Sequence, residues 1–184
     1  MTHACTTGNS SPLGVKLTRG GANFSIYSRD ATGIELLFFD HEDSVRPARV
    51  ICLNPCTNRT YHYWHVFVPD VRPGQIYAYR ATGPFRPADG LRFDASKVLL
   101  DPYGPRVIVP ENYSRDAAGH SGDNTASAMK NMVVDLHAYN WEYDRPLHRP
   151  SSRTIIYEMH VAGFTRHPSS GVAEEKRGTY AGLI

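Results

Sequence analysis

The sequence predicts a mostly β protein that opens with a sandwich or barrel, and three observations carry that expectation. Short apolar runs with a period of two recur through the first hundred residues, turn residues separate them, and helical periodicity is absent there. After Phe85 the chain becomes rich in Pro, Gly and Asp before a last apolar run at residues 154–165, which predicts a connection followed by a second unit.

The first clear element is ANFSIYSR (22–29), which follows a Gly20-Gly21 turn. It places Ala22, Phe24 and Ile26 on one face and Asn23, Ser25 and Tyr27 on the other, the period of a half-buried strand. GIELLFFD (33–40) follows an Ala-Thr-Gly turn. RVICL, YHYWHVFVPD (61–70) and QIYAYRATGP (75–84) add three more β-rich runs bounded by Pro, Gly, Asn or Asp. Beyond Phe85, one short apolar run from Val98 to Leu100 marks an ordered connection. Residues 111–131 are polar and small and predict a mobile surface loop. NMVVD offers one more strand. A second Pro-rich stretch then leads to TIIYEMHVAGFT (154–165), which alternates Ile155, Tyr157, Met159 and Val161 against Ile156, Glu158, His160 and Ala162.

That last strand is the strongest in the chain and has no sequence partner, because residues 166–184 can supply only a loop and the opening of a helix. An apolar strand with both edges unpaired is unstable and prone to aggregate. Strand, glycine-containing loop and helix start are, however, the first unit of a βα repeat. The expected boundaries are a β-sandwich over 12–102, an irregular connection over 103–152, and the truncated start of a larger domain over 153–184.

Composition narrows the function classes. A chain of 184 residues has room for one domain and part of another. Apolar residues at 41% and charged residues at 21% sit near globular averages. Twenty basic against eighteen acidic side chains, a net +2, do not make the one-sided field of a nucleic-acid binder. No uninterrupted apolar run could span a bilayer, and the start MTHACTTGNSSPLG lacks the features of an export signal. No membrane partner and a cytoplasmic location are expected. Cys5, Cys52 and Cys56 cannot all pair, which fits a reducing compartment. Asn9, Asn23, Asn58 and Asn112 begin Asn-x-Ser/Thr triplets that would matter only in a secreted chain.

Candidate functional residues concentrate in Tyr61-His62-Tyr63-Trp64-His65. Flat rings with polar handles suit the faces of sugar rings. Trp64 shares its strand face with Val66 and Val68 and reads as a core anchor, whereas Tyr61 and Tyr63 point the other way with Phe67 and are the candidate sugar platform. Tyr77 and Tyr79 could serve either role. The spacing of Cys52, Cys56, His62 and His65 resembles a zinc site, but alternation sends His62 and His65 to opposite faces, and Cys52 reads as a buried free thiol. Glu158 and His160 share a predicted strand face, and a packed, hydrogen-bonded pair is the simpler reading than acid–base chemistry. No phosphate-cradling glycine motif follows a strand. Asp40, Glu42 and Asp43, like the run Glu174 to Arg177, read as solvated loop charges. No catalytic residue, metal or cofactor is expected.

Four stretches resemble the isoamylase-type glycogen debranching enzymes of glycoside hydrolase family 13: SPLGVKLTRGGANFSIYSRDATGIELLFFD, NRTYHYWHVFVPDVRPGQIYAYRATGPFRPADGLRFDASKVLLDPYG, MKNMVVD, and TIIYEMHVAGFTRHPSSGVAEEKRGTYAGLI. The resemblance implies an immunoglobulin-like sandwich, similar to family 48 carbohydrate-binding modules, followed by a (β/α)8 barrel of which only the first strand is present. It further implies hydrolysis of α-1,6 branch points in glycogen or starch by two aspartates and a glutamate on later barrel strands. None of those motifs occurs here, so the 184 residues are expected to be catalytically inert. The implied partners are an α-glucan and the missing barrel, against which the sandwich would pack. Ala162 stands where a basic residue is common in the family, and Ala78 and Ala81-Thr82 replace a usual Gly and a Val-His. A stand-alone glycogen-binding module, or a piece of a branching or trehalose-releasing relative, is the alternative.

Overall fold

The computed structural model describes residues 4–184, which divide into one unit ending at Asn140 and another from Trp141 to Ile184. The first unit contains β1 (Gly14–Thr18), β2 (Gly21–Tyr27), β3 (Gly33–Phe39), β4 (Arg49–Leu53), β5 (Arg59–Thr60), β6 (Tyr63–Pro69), β7 (Ile76–Thr82), β8 (Phe85–Arg86), β9 (Leu91–Arg92), β10 (Val107–Ile108) and β11 (Lys130–Met132), with the short helix α1 (Arg115–Gly119). One antiparallel sheet has the order β1-β2-β6-β5 and the other β10-β11-β7-β3-β4; β8 and β9 pair as a separate hairpin.

The two sheets face each other across one core. Phe24, Trp64, Val66 and Val68 come from the first sheet, and Leu36, Phe38, Tyr77 and Tyr79 from the second. Phe24 meets Phe38 and Tyr77 edge to face at 5.6 and 5.1 Å between ring centroids. Trp64 is wholly buried with Val66 and Val68, and its Nε1 donates to the Ser28 carbonyl at 3.2 Å. Alternation along β3 and β7 sends Leu37, Phe39, Ile76 and Ala78 to the opposite face, where Val98 and Ala128 cover them as a second core. A strand buried on both faces explains why LLFF is continuously apolar.

Tyr77 and Tyr79 lie inside the sandwich and are thereby excluded as a sugar platform. Tyr77 donates its hydroxyl to Asp101 Oδ2 at 2.8 Å, while Asp101 Oδ1 accepts from the Tyr103 amide at 2.9 Å. Burial pushes the Asp101 carboxyl above its ordinary value despite those two hydrogen bonds, and raises both tyrosines.

Other expectations are corrected. β2 is not half-buried: Asn23 and Ser25 are covered by the amino-terminal segment. Asn23 exchanges two hydrogen bonds with the Asn9 backbone at 2.7 and 2.9 Å, and the Ser25 hydroxyl donates to the Ser10 carbonyl. Thr6 completes this strap by pairing with Phe67 through two backbone bonds of 3.0 Å. Gly8 permits the close approach, with φ +75° and no room for a Cβ, which would lie 2.6 Å from the Phe67 nitrogen.

Residues 111–131 do not form a mobile surface loop. They carry α1 and bury Asn124, Thr125, Ala128, Lys130 and Asn131. Lys130 Nζ donates to the carbonyls of Glu42, Thr125 and Ala128 at 2.6, 2.8 and 3.2 Å, and Asn124 Oδ1 accepts from the Val98 amide at 2.8 Å. Polar anchors hold this segment, which is why hydropathy misreads it. β11 then adds to β7 through Asn131 and Met132, so the second sheet continues beyond residue 102. Cys52 is an exposed free thiol rather than a buried one, because it sits on β4 at the edge of the sheet.

The second unit consists of short turns and the helix α2 (Val161–Phe164). The strand expected at 154–165 is not formed. Ile155, Ile156 and Tyr157 are 97%, 86% and 75% exposed, and no strand of this unit lies alongside to complete a ladder. Alternation supplies the side chains of a strand but not the neighbouring backbone it requires.

Candidate functional site

The residues that converge are aromatic and sit at one end of the β1-β2-β6-β5 sheet, past the reach of the amino-terminal strap. β2 and β6 run in register with Tyr27 directly opposite Tyr63, and their rings meet edge to face at 5.4 Å. The connection from β5 to β6 is only Tyr61-His62, since Thr60 already pairs with Tyr63. So tight a turn demands positive φ, and Tyr61 takes it at +58°. A bulky residue in that region costs about 1–2 kcal/mol, and such strain collects where a side chain is held out for a ligand.

Tyr61 is 78% exposed and Tyr27 47%, and Tyr63 is half-buried. The Tyr61 ring lies 3.8 Å from that of His62, which in turn meets Tyr27 edge to face at 6.0 Å. His62 Nδ1 is buried and finds no hydrogen-bond partner among the described residues. Arg59 organises the cluster from beneath. Its Nε donates to the Tyr61 carbonyl at 2.9 Å, its Nη2 to the Arg29 carbonyl at 3.1 Å, and its guanidinium lies 4.9 Å from the Trp64 ring centroid. The strained turn, the β2 end and the core are therefore tied by one side chain.

Of the sequence candidates, Tyr61 occupies the turn rather than a strand face shared with Phe67, and ring contacts connect it to Tyr63 through His62 and Tyr27. Tyr27 and Arg59 are the residues that sequence reasoning missed. Tyr27 had a signal, its outward position at the end of a strand; Arg59 had none.

The other candidates separate. Both ring nitrogens of His65 are engaged, Nδ1 with the Thr7 carbonyl at 2.9 Å and Nε2 with the Thr60 hydroxyl at 2.8 Å. Cys52 and Cys56 are exposed, and among the described residues no three potential ligands gather for a metal ion. Glu158 and His160 share no strand face; His160 Nδ1 caps α2 by accepting from the Gly163 amide at 3.0 Å. Among the described residues no helix is long and apolar enough to cross a membrane.

Two antiparallel sheets packed face to face, with ring side chains presented at one end, describe a β-sandwich module of the carbohydrate-binding kind. Residues 12–104 match the family model "Carbohydrate-binding module 48 (Isoamylase N-terminal domain)", and the chain belongs to that family. It is 40% identical over 185 aligned residues to the glycogen debranching enzyme of Serratia proteamaculans, covering 97% of this chain and 26% of that one. It is 37% identical over 179 to the chloroplastic isoamylase 1 of Oryza sativa subsp. japonica, covering 96% and 22%. The chain thus spans about a quarter of the length of the curated relatives it matches. Among solved structures, apo pullulanase from Paenibacillus barengoltzii aligns over 96% of this chain and 23% of its own, with a TM-score of 0.59 and 19% identity, a likeness of fold.

Proposed function

We propose that this chain is the α-glucan-contacting amino-terminal part of a glycogen- or starch-debranching hydrolase, with Tyr61 and Tyr63 as its sugar platform. The observation that carries the reading is the ring cluster at the uncovered end of the sheet, in a sandwich of a carbohydrate-binding family. Tyrosine rings offer flat apolar faces with hydroxyl rims, which match the alternating faces and edges of glucose.

The parent reaction would be cleavage of α-1,6 branch points in cytoplasmic α-glucan by carboxylates outside residues 1–184. Support for it lies in the likeness to a glycogen debranching enzyme along 97% of the chain. Residues 153–184 would open the (β/α)8 barrel on which the sandwich packs, and the exposed Ile155, Ile156 and Tyr157 favour a partner that covers them. A second reading, a module that binds glycogen without a barrel, is favoured by the first unit enclosing both apolar cores by itself.

Affinity electrophoresis of the 184-residue chain through glycogen-containing gels tests the platform. Tyr61→Ala should weaken retardation about five- to tenfold, the equivalent of about 1–1.4 kcal/mol for one stacked ring. Glycogen incubated with the same protein should release no linear chains. Unchanged retardation would remove Tyr61 from the site, and measurable release would place catalytic groups within residues 1–184.

A further inference from the structure

We propose that an open groove beside the ring cluster is a second subsite for the same α-1,4-linked chain, which would pass from Tyr61 across Tyr27 into it. The inference rests on the reading of the cluster as an α-glucan site. The groove measures about 660 Å³, within the range of small-molecule sites. Tyr27 belongs to both places: its ring meets Tyr63 and His62, and the residue is one of those that line the groove. α1, held down where Lys97 Nζ donates to the Ala117 and Gly122 carbonyls, contributes Ala118 to the wall.

The lining selects the chemical class. Leu91 and Phe93 are apolar, and the Phe93 ring rests on Gly83, where a Cβ would come within 2.6 Å of it. Around them stand two guanidiniums and two carboxylates. Arg29 pairs with Asp30 at 3.1 Å, Arg92 is exposed, and Asp94 accepts from the Ser96 hydroxyl and amide at 2.6 and 2.9 Å. The ammonium of Lys97 spends two of its three N–H groups on the Ala117 and Gly122 carbonyls and adds a third positive charge to the lining. An anion or a cation entering here meets charges of both signs. A neutral polyol, whose adjacent hydroxyls donate to carboxylates and accept from guanidiniums while its ring face lies on Tyr27, satisfies all of them.

Isothermal titration of the 184-residue chain with maltotriose and with maltohexaose separates the two places. The unaltered chain should bind maltohexaose at least tenfold more tightly than maltotriose. Arg92→Ala, a change outside the ring cluster, should abolish that advantage while leaving maltotriose affinity within twofold. Tyr61→Ala should weaken both ligands. Equal affinities in the unaltered chain, or a length advantage that survives Arg92→Ala, overturns the groove. If Arg92→Ala acts as expected but Tyr61→Ala leaves both affinities unchanged, the cluster reading fails and the groove stands. Binding of neither sugar overturns both.

Discussion

Replacing Lys130 with methionine asks whether residues 111–131 are held down by a single buried ammonium. The side chain has no exposed surface, donates to three carbonyls, and lies 4.8 Å from the Phe39 ring centroid. Methionine keeps much of the apolar stem and removes the donor. The carbonyl of Glu42, an exposed residue, can turn to water, but Thr125 and Ala128 are 2% and 4% exposed and their carbonyls cannot. At about 1–3 kcal/mol for each buried acceptor left unpaired, the loss is about 2–6 kcal/mol. Relief from burying a charge offsets part of it. Burial lowers the Lys130 pKa against the pull of Asp43 and Glu42, so the ammonium is already held at a cost. The net expectation is a destabilisation of about 2–4 kcal/mol. In urea unfolding followed by tryptophan fluorescence, the midpoint should fall with the slope unchanged, and Tm should drop by about 5–15 °C. Limited proteolysis should also cut earlier between residues 111 and 129. A Lys130→Met chain as stable as the parent would refute the reasoning, because the carbonyls would then have other donors.

Gly8→Ala should release the amino-terminal strap, since the new methyl would collide with Phe67 N and Asn23 Oδ1 at a backbone φ of +75°. Amide exchange at Phe67, slow while Thr6 accepts from it, should accelerate by at least tenfold, and unchanged protection would show that the strap can shift without cost. Asp101 supplies a pH dependence: burial raises its folded pKa above the ordinary 3.8, so the folded form holds its proton to higher pH than the unfolded chain. The associated stability is fully present below pH 3.8 and is lost as pH rises through the folded value. Asp101→Asn does not titrate, so the difference in unfolding free energy, parent minus variant, should decline over that window; a difference that is flat or rises with pH would contradict the assignment.

The parts of the fold legible in the sequence are those governed by apolar alternation. The runs containing β2, β3, β4, β6 and β7 announce themselves because one face of each reads as core, and Trp64 with Val66 and Val68 lies where that alternation puts it. Where polar groups are buried, the same reading fails. Lys130, Asn131, Asn124 and Thr125 look like surface, yet hydrogen bonds rather than apolar contacts carry them inside. The stretch 154–165 fails in the opposite sense, with the composition of a strand and no neighbouring backbone in its unit. At the site, the tyrosines were visible as residue types. The register that sets Tyr27 against Tyr63, and the reach of Arg59 to Tyr61 and Arg29, are properties of paired strands and cannot be read from one of them.

The position of the ring cluster follows from how the sandwich covers its outer faces. Behind β3 and β7, Val98 and Ala128 bury a second apolar core. Outside β2 and β6, the strap from Thr6 to Ser10 lies over Asn23, Ser25 and His65 by hydrogen bonds, a cover that suits polar side chains. At the far end of the same two strands the outward residues become Tyr27 and Tyr63, and the strap does not engage them. Continuing the strap would have buried these rings, as the sandwich does with Phe24 and Tyr77. Instead, a strained turn secured by Arg59 adds a third ring, at a backbone cost that an exposed tyrosine does not recover from the fold alone. In the proposed function a glucose face on the ring would supply the compensating contact, and the Arg59 bond to the Tyr61 carbonyl holds the turn without it, so Arg59→Ala should let Tyr61 leave its positive φ.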